Sequence, residues 1–279
     1  MATKKVSEIT TRQSTDEELA RGTYARATAT DLRSPCPMIN CLANSGYLPR
    51  NGREVRLNEM ISAMKQTGCS ALVGQFFSNA VFLEHRSEGQ PQPQRSFLER
   101  LWTVLRNPFE LLPHKLGVRD QGQVNAQGEK CMNLDQLAKH GAIEHDVSLS
   151  RRDLAQGDNL SRQADLVNAI VSASSDGGNT VSMQDICALR RRRIVAQRKE
   201  NKDLEYGKLE HELGCGEIAL IMKVLGDGQK VRCDFLEAFF LEERLPVQEG
   251  WTKRTPWWTI GLVEIKMTVE KIKAIVGPV

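Results

Sequence analysis

No stretch of this chain alternates apolar and polar residues convincingly over the length of a strand, whereas apolar residues recur at helical spacing in one segment after another. That contrast restricts the fold more than any other feature, and it predicts an all-α protein. Asn58 can cap a helix over Glu59 to Thr67, with Met60, Ile61 and Met64 on one face and Gly68 behind it. "CSALVGQFFSNAVFLEH" is apolar enough for a buried helix, and "SFLERLWTVL" brings Phe97, Leu98, Leu101 and Trp102 into phase. Asn133 caps a short helix in "LDQLAKHG", and "SMQDICALRRRRIVAQRKENKDL" reads as a long basic one. "HELGCGEIALIMKVLG" and "CDFLEAFFLEERLP" are two apolar helices joined by the turn "GDGQK". Only "WWTIGLVEI" offers itself as a short strand. The expectation is a single compact domain of about eight to ten helices, with little or no β structure and no internal repeat.

With 279 residues the chain is long enough for a substantial core. Residues 1–30 are polar and weakly periodic, the pattern of an N-terminal arm, so the domain is expected over 31–279. Within it, 86–130 is a loop-rich insertion carrying "RSEGQPQPQR" and "GVRDQGQVNAQGEK". The net charge of +3 gives no reason to expect a nucleic-acid or membrane-surface partner. The run Arg190 to Arg193 has no interleaved aromatic residue and reads as a solvated helix face. Seven widely spaced cysteines do not form a disulfide framework, and the lack of a CxxC pair argues against structural zinc. No apolar stretch has the length of a signal peptide core or a membrane span. The location expected is intracellular, or secreted if a leader has been removed.

Three sites carry residues suited to chemistry. In "SPCPMIN", Cys36 is placed to cap a short helix that starts at Pro37, where a missing N–H does no harm. The free N–H groups of Met38, Ile39 and Asn40 would then favour its thiolate, useful as a nucleophile, a zinc ligand or an axial haem ligand. The plainer alternative is a small buried residue in a turn, as for Cys41. In "AIEHDVSLSRRD", Glu144, Asp146, Ser148 and nearby carbonyls offer oxygen to a hard cation such as magnesium or manganese. His145 lies between the two acids; a solvated acidic turn has the same composition. Glu217 is the only carboxylate from Leu213 to Gly226 and shares a helical stripe with Leu213, Leu220, Ile221 and Val224. Such a carboxyl is paired, has a raised pKa suited to proton transfer, or is a capped glutamate near a helix start marked by Gly214 and Gly216.

Together the segments resemble the fungal haem-thiolate peroxidases, the family that includes chloroperoxidase and the unspecific peroxygenases. "RSPCPMINCLANSGYLPRNG" is similar to the family's PCP motif and the N-x-L-A-N-H-G-Y-(L/I)-P-R-(N/D)-G that follows it. "NLDQLAKHGAIEHDVSLSRRD" resembles its EHD-x-S-x-S-R-x-D block, while "GEIALIMKVLG" and "FFLEERLPVQEGW" resemble its closing segments. The blocks stand in family order from residue 31 to 251. The resemblance implies a helical domain enclosing haem b, with Cys36 as axial thiolate. It further implies that Glu144, the His145 backbone carbonyl and Ser148 bind magnesium or manganese near a haem propionate. Glu217 would be the distal acid–base with its charge held by His145, and Ile143 and Leu220 would line the pocket. Ser45 departs from the pattern, standing where the family has histidine.

The function so implied is peroxide-driven oxidation or oxygenation of a small organic substrate in secondary metabolism. Halide oxidation, and a non-catalytic haem- or ligand-binding protein on the same scaffold, are the alternatives. A nucleic-acid module built on the arginine helix is a third. No nucleic-acid or membrane partner is expected, and the oligomeric state is not legible.

Overall fold

A computed structural model describes residues 19–86 and 114–279, together with Ser96 and Glu99. The proposed helix over "SFLERLWTVL", residues 1–18 of the arm and most of the 86–113 segment lie outside the described residues. Among those described, eight α-helices dominate, and their ends follow from local chemistry. Helix α1 (Pro37–Asn44) has Cys36 as N-cap and Pro37 in its first turn, and Gly46 beyond its end is left-handed, at φ 69°. Helix α2 (Leu57–Met64) begins two residues earlier than the sequence suggests. Its cap is Arg56, whose N–H donates to Glu59 Oε2 at 2.9 Å, so Asn58 lies inside the first turn. Helix α3 (Ala71–Phe82) is capped by Ser70, which accepts from the Val73 N–H. It is not buried all round: Leu72 and Phe76 are exposed, because only one face meets α2.

Helix α4 (Ala164–Val171), unanticipated from the sequence, packs on α7 (Cys233–Phe240). Helix α5 (Met183–Glu200) opens on a capping box between Ser182 and Asp185. Helix α6 (Lys208–Val224) runs through the centre, burying Cys215, Ile218, Ala219 and Met222 against α8 (Leu262–Val276). The last of these replaces the expected strand in "WWTIGLVEI". Pro256–Trp258 forms a 3-10 turn, and from Leu262 on Ile265, Val269, Ile272 and Val276 recur at spacings of four and three. That longer pattern extends past the quoted window, so a nine-residue reading misses its period.

Among the described residues the strands form two small antiparallel pairs, beside four isolated bridges such as Cys69 with Ile260. Val55–Arg56 (β1) joins Cys131–Met132 (β2), and Thr180–Ser182 (β3) joins Lys230–Arg232 (β4). The "GDGQK" turn therefore leads into β4 rather than directly into α7. Residues 19–30 lie along the end of α1, where the N–H groups of Gly22 and Ala25 donate to Ser45 and Asn44 carbonyls. Buried Arg119, in the C-terminal part of the 86–130 segment, donates to the Phe82, Gln123 and Cys131 carbonyls and ties this loop to α3 and β2. One contiguous hydrophobic core runs from α1 to α8. The molecule is thus mostly helical, as the periodicity predicts.

Candidate active site

Pro35 and Pro37 on either side of Cys36 have no N–H to give, so the cysteine backbone is fixed through other groups. Cys36 N–H donates to Ser34 Oγ at 3.2 Å, and Ser34 N–H and Oγ donate to Asn40 Oδ1 at 2.9 and 3.0 Å. The Cys36 side chain is exposed, yet burial within the surrounding protein pushes its thiol up. The residue is thus accessible while the protein packs densely around it. The Ile39 and Met38 N–H groups pull the thiol down, as a helix start should, and Glu217 pushes it up again. Desolvation wins. The helix-start N–H groups thus act in the direction expected from sequence, but burial outweighs them. Cys41, by contrast, is fully buried in the core.

Glu217 lies in the middle of α6, with its side chain 46 % exposed, and desolvation is again the first influence on it. Its Oε1 stands 3.6 Å from His145 Nε2, an ion-pair distance too long for a hydrogen bond. Burial pushes the Glu217 carboxyl up, but His145, supported by Arg190 and Arg151, outweighs it and the pKa is lowered. Burial likewise pushes His145 towards neutrality, but Glu217 outweighs it and the pKa is raised. Of the alternatives open for Glu217, the paired one holds, and the raised-pKa one does not. Gly214 does not mark a helix start, since α6 begins at Lys208. A Cβ there would come 1.8 Å from Arg190 Nη2, so glycine is what lets that guanidinium cross the helix.

Arg190 itself corrects the reading of the arginine run. It is fully buried, donating to the Val147 carbonyl at 3.0 Å, and half-buried Arg193 donates to the Ser148 carbonyl. Only Arg191 and Arg192 of the run are exposed. These contacts hold a strained turn: Val147 has φ 63°, a left-handed value that a β-branched residue rarely adopts. The Val147 N–H donates to Asp153 Oδ1 at 2.8 Å, so the turn is gripped from both sides. His145 Nδ1 is 2.7 Å from the Asp146 carbonyl; if that nitrogen carries the proton, Nε2 is left facing Glu217.

Glu144, buried in the same turn, meets His140 Nδ1 through Oε2 at 2.8 Å. Burial pushes its carboxyl up and His140 works against this. Glu144 Oε1 and His145 Nε2 are both buried and without a hydrogen-bond partner among the described residues. An orphaned carboxylate oxygen fits a cation, which would relieve its desolvation. No cluster of three or more His, Cys, Asp or Glu side chains suits a metal among the described residues, so any such ion would also rely on carbonyl and hydroxyl oxygen. Ile143 and Leu220 are partly buried and pack against the core. A hollow of ≈ 520 Å³ on the outer face of α5, lined by Arg191, Arg192, Val195 and Lys199, includes none of these residues.

Sequence reasoning passed over Arg190, Arg151 and Glu243. Arg190 was findable: with Met183, Ile186, Cys187, Ile194 and Gln197 it completes the buried stripe of α5. Arg151 and Glu243 stood inside quoted motifs, but their pairing at 3.0 Å spans 92 residues and leaves no local trace.

The chain is 31 % identical over 134 residues to a chloroperoxidase of Leptoxyphium fumago, covering 48 % of this chain and 27 % of that protein. It is 26 % identical over 226 residues to an aromatic peroxygenase of Cyclocybe aegerita, covering 77 % and 54 %. With an aromatic peroxygenase of Coprinellus radians the identity is 28 % over 180 residues, covering 63 % and 59 %. The chain thus spans between about a quarter and three fifths of the length of these relatives. The profile described as Peroxidase, family 2 matches residues 22–256, and the protein belongs to that family.

Proposed function

We propose that this protein is a haem-thiolate peroxidase or peroxygenase that uses hydrogen peroxide to oxidise or oxygenate a small organic molecule. Family membership implies a haem iron. The observation that carries the rest is the relation of Cys36 to Glu217. Each is partly accessible yet has burial as the first influence on its pKa, Glu217 acts on the Cys36 thiol, and Arg151 acts on both. A thiol able to ligate iron and a charged carboxylate near enough to act on it are a suitable pair for a haem peroxidase.

In this reading Cys36 would hold the haem iron, whose positive charge would offset the desolvation of its sulfur. When bound, haem b supplies the redox chemistry that oxidises the substrate. Glu217 would accept a proton from one oxygen of hydrogen peroxide and pass it to the other, the proton transfer that O–O cleavage on the bound haem requires. His145 keeps Glu217 charged between turnovers, and Asp146, through its carbonyl, orients His145. Glu144 Oε1, the His145 carbonyl and Ser148 would hold magnesium or manganese, a cation that suits the unpartnered oxygen of Glu144. Ile143 and Leu220 border the substrate. Their aliphatic side chains suit an organic molecule better than a halide ion.

The deciding experiment is the absorption spectrum of the haem-loaded protein, reduced and exposed to carbon monoxide. Wild type is expected to show the strongly red-shifted Soret band of thiolate ligation, and Cys36→Ala to lose it. Glu217→Gln is expected to keep the band while peroxide-dependent dye oxidation falls about 10²–10⁴-fold. Absence of the band in haem-loaded wild type would overturn the proposal.

A further inference from the structure

Glu243 is a buried acid for which the proposed chemistry has no use, and it stands at φ 51°, a left-handed conformation unusual for glutamate. Its contacts over-determine that conformation. The carboxylate Oε1 accepts from Asn40 Nδ2 at 2.8 Å and from Arg151 Nη2 at 3.0 Å, and Oε2 lies 3.9 Å from Arg162 Nη1. The Glu243 carbonyl accepts from Asn44 Nδ2 at 3.0 Å. One residue from beyond α7 thereby grips α1 near both ends.

Asn40 passes the grip on. Its amide nitrogen gives one proton to Glu243 and the other to the Ser34 carbonyl at 2.8 Å, while Oδ1 accepts from Ser34 N–H and Oγ. Every donor and acceptor of this buried amide is thus used. Ser34 Oγ in turn accepts the Cys36 N–H. Because Pro35 and Pro37 donate nothing, this hydroxyl is the fixed point for the cysteine between them.

We propose that Glu243 is the positioning residue of the Cys36 ligand: through Asn40 and Ser34 it fixes the cysteine at the sulfur-to-iron distance and direction that keep the thiolate bound. The inference rests on the reading of Cys36 as haem ligand. It is distinct from a purely structural role, in which Glu243 only neutralises Arg151.

The test uses the haem-loaded full chain and reads the fraction of the reduced, carbon monoxide-bound form that carries the red-shifted thiolate band. Glu243→Ala and Asn40→Ala are expected to lower that fraction at least threefold, although neither residue touches the sulfur. Glu243→Gln, whose Oε1 still accepts from Asn40 while its charge is gone, is expected to retain most of it. Should Glu243→Ala fail to fold, Ser34→Ala carries the test, since it removes one hydroxyl from the same chain of bonds and should lower the fraction in the same direction. Wild-type fractions in Asn40→Ala and Ser34→Ala would overturn the inference. So would a loss in Glu243→Gln as large as in Glu243→Ala, because it would assign the effect to the charge. A haem-loaded wild type with no thiolate band would instead sink the Cys36 reading and this inference with it.

Discussion

Cys36 is the one exposed cysteine among seven free thiols, and opposing influences act on it. Desolvation favours the neutral thiol, and the α1 N–H groups favour the thiolate. The other cysteines are buried: burial raises Cys41 well above its ordinary value, and burial with Cys215 nearby pushes Cys187 up to about 12. Alkylation of the folded, haem-free chain at pH 9 should therefore give one adduct, at Cys36, and haem should protect it. Peptide mass spectrometry reads both outcomes, and earlier labelling of Cys41 or Cys187 would contradict the burial described. At the same scale, the sequence shows where Cys36 stands on its helix. It does not show the balance of influences, because desolvation depends on atoms brought in from distant parts of the chain.

Elements show a comparable division. Capping boxes and apolar periodicity are interactions within four residues, which is why α1, α2, α3, α5 and α6 are legible to within a few residues. What α5 does with its arginines is not local. Arg190 enters the core because α6 presents Gly214 to it and the Val147 carbonyl needs a donor. Gly214→Ala should push the guanidinium off that carbonyl, combining overpacking with a lost charged hydrogen bond, for a loss of about 2–4 kcal/mol. Chemical denaturation measures it, and a cost below 0.5 kcal/mol, on the order of an ordinary surface substitution, would mean that Arg190 relaxes freely. For comparison, Ser182→Ala should cost about 1 kcal/mol through loss of the α5 cap.

For the whole molecule, the segment that follows α7 closes the fold. Arg244 donates through both terminal nitrogens to Glu249 at 2.8 and 2.6 Å, and Trp251 Nε1 donates to the Val224 carbonyl at the end of α6. The hydrogen bonds from Arg244 outweigh burial and lower the Glu249 pKa. A carboxyl lowered on folding contributes stability that is present above its unfolded value of about 4.3 and is lost as pH falls through the folded one. Glu249→Gln should thus lower stability by about 1–2 kcal/mol at pH 7. The difference from wild type should shrink as the pH drops through the folded pKa. Thermal melts at a series of pH values check this, and a pH-independent difference would point to packing instead.

The sequence by itself determined the helical class, the capped positions of the main helices and the placing of Cys36 at a helix start between two prolines. Those features rest on spacing, on φ restriction and on side chains that reach only their near neighbours. Tertiary structure alone decided that Val147 takes a strained turn, that buried Arg151 pairs with Glu243, and that Arg190 is a core residue. It also decided that Glu243 holds Asn40 from 203 residues away. The physical reason is common to all four: a buried charge or strained residue persists only where a partner from elsewhere in the chain offsets it, and that partner is chosen by packing.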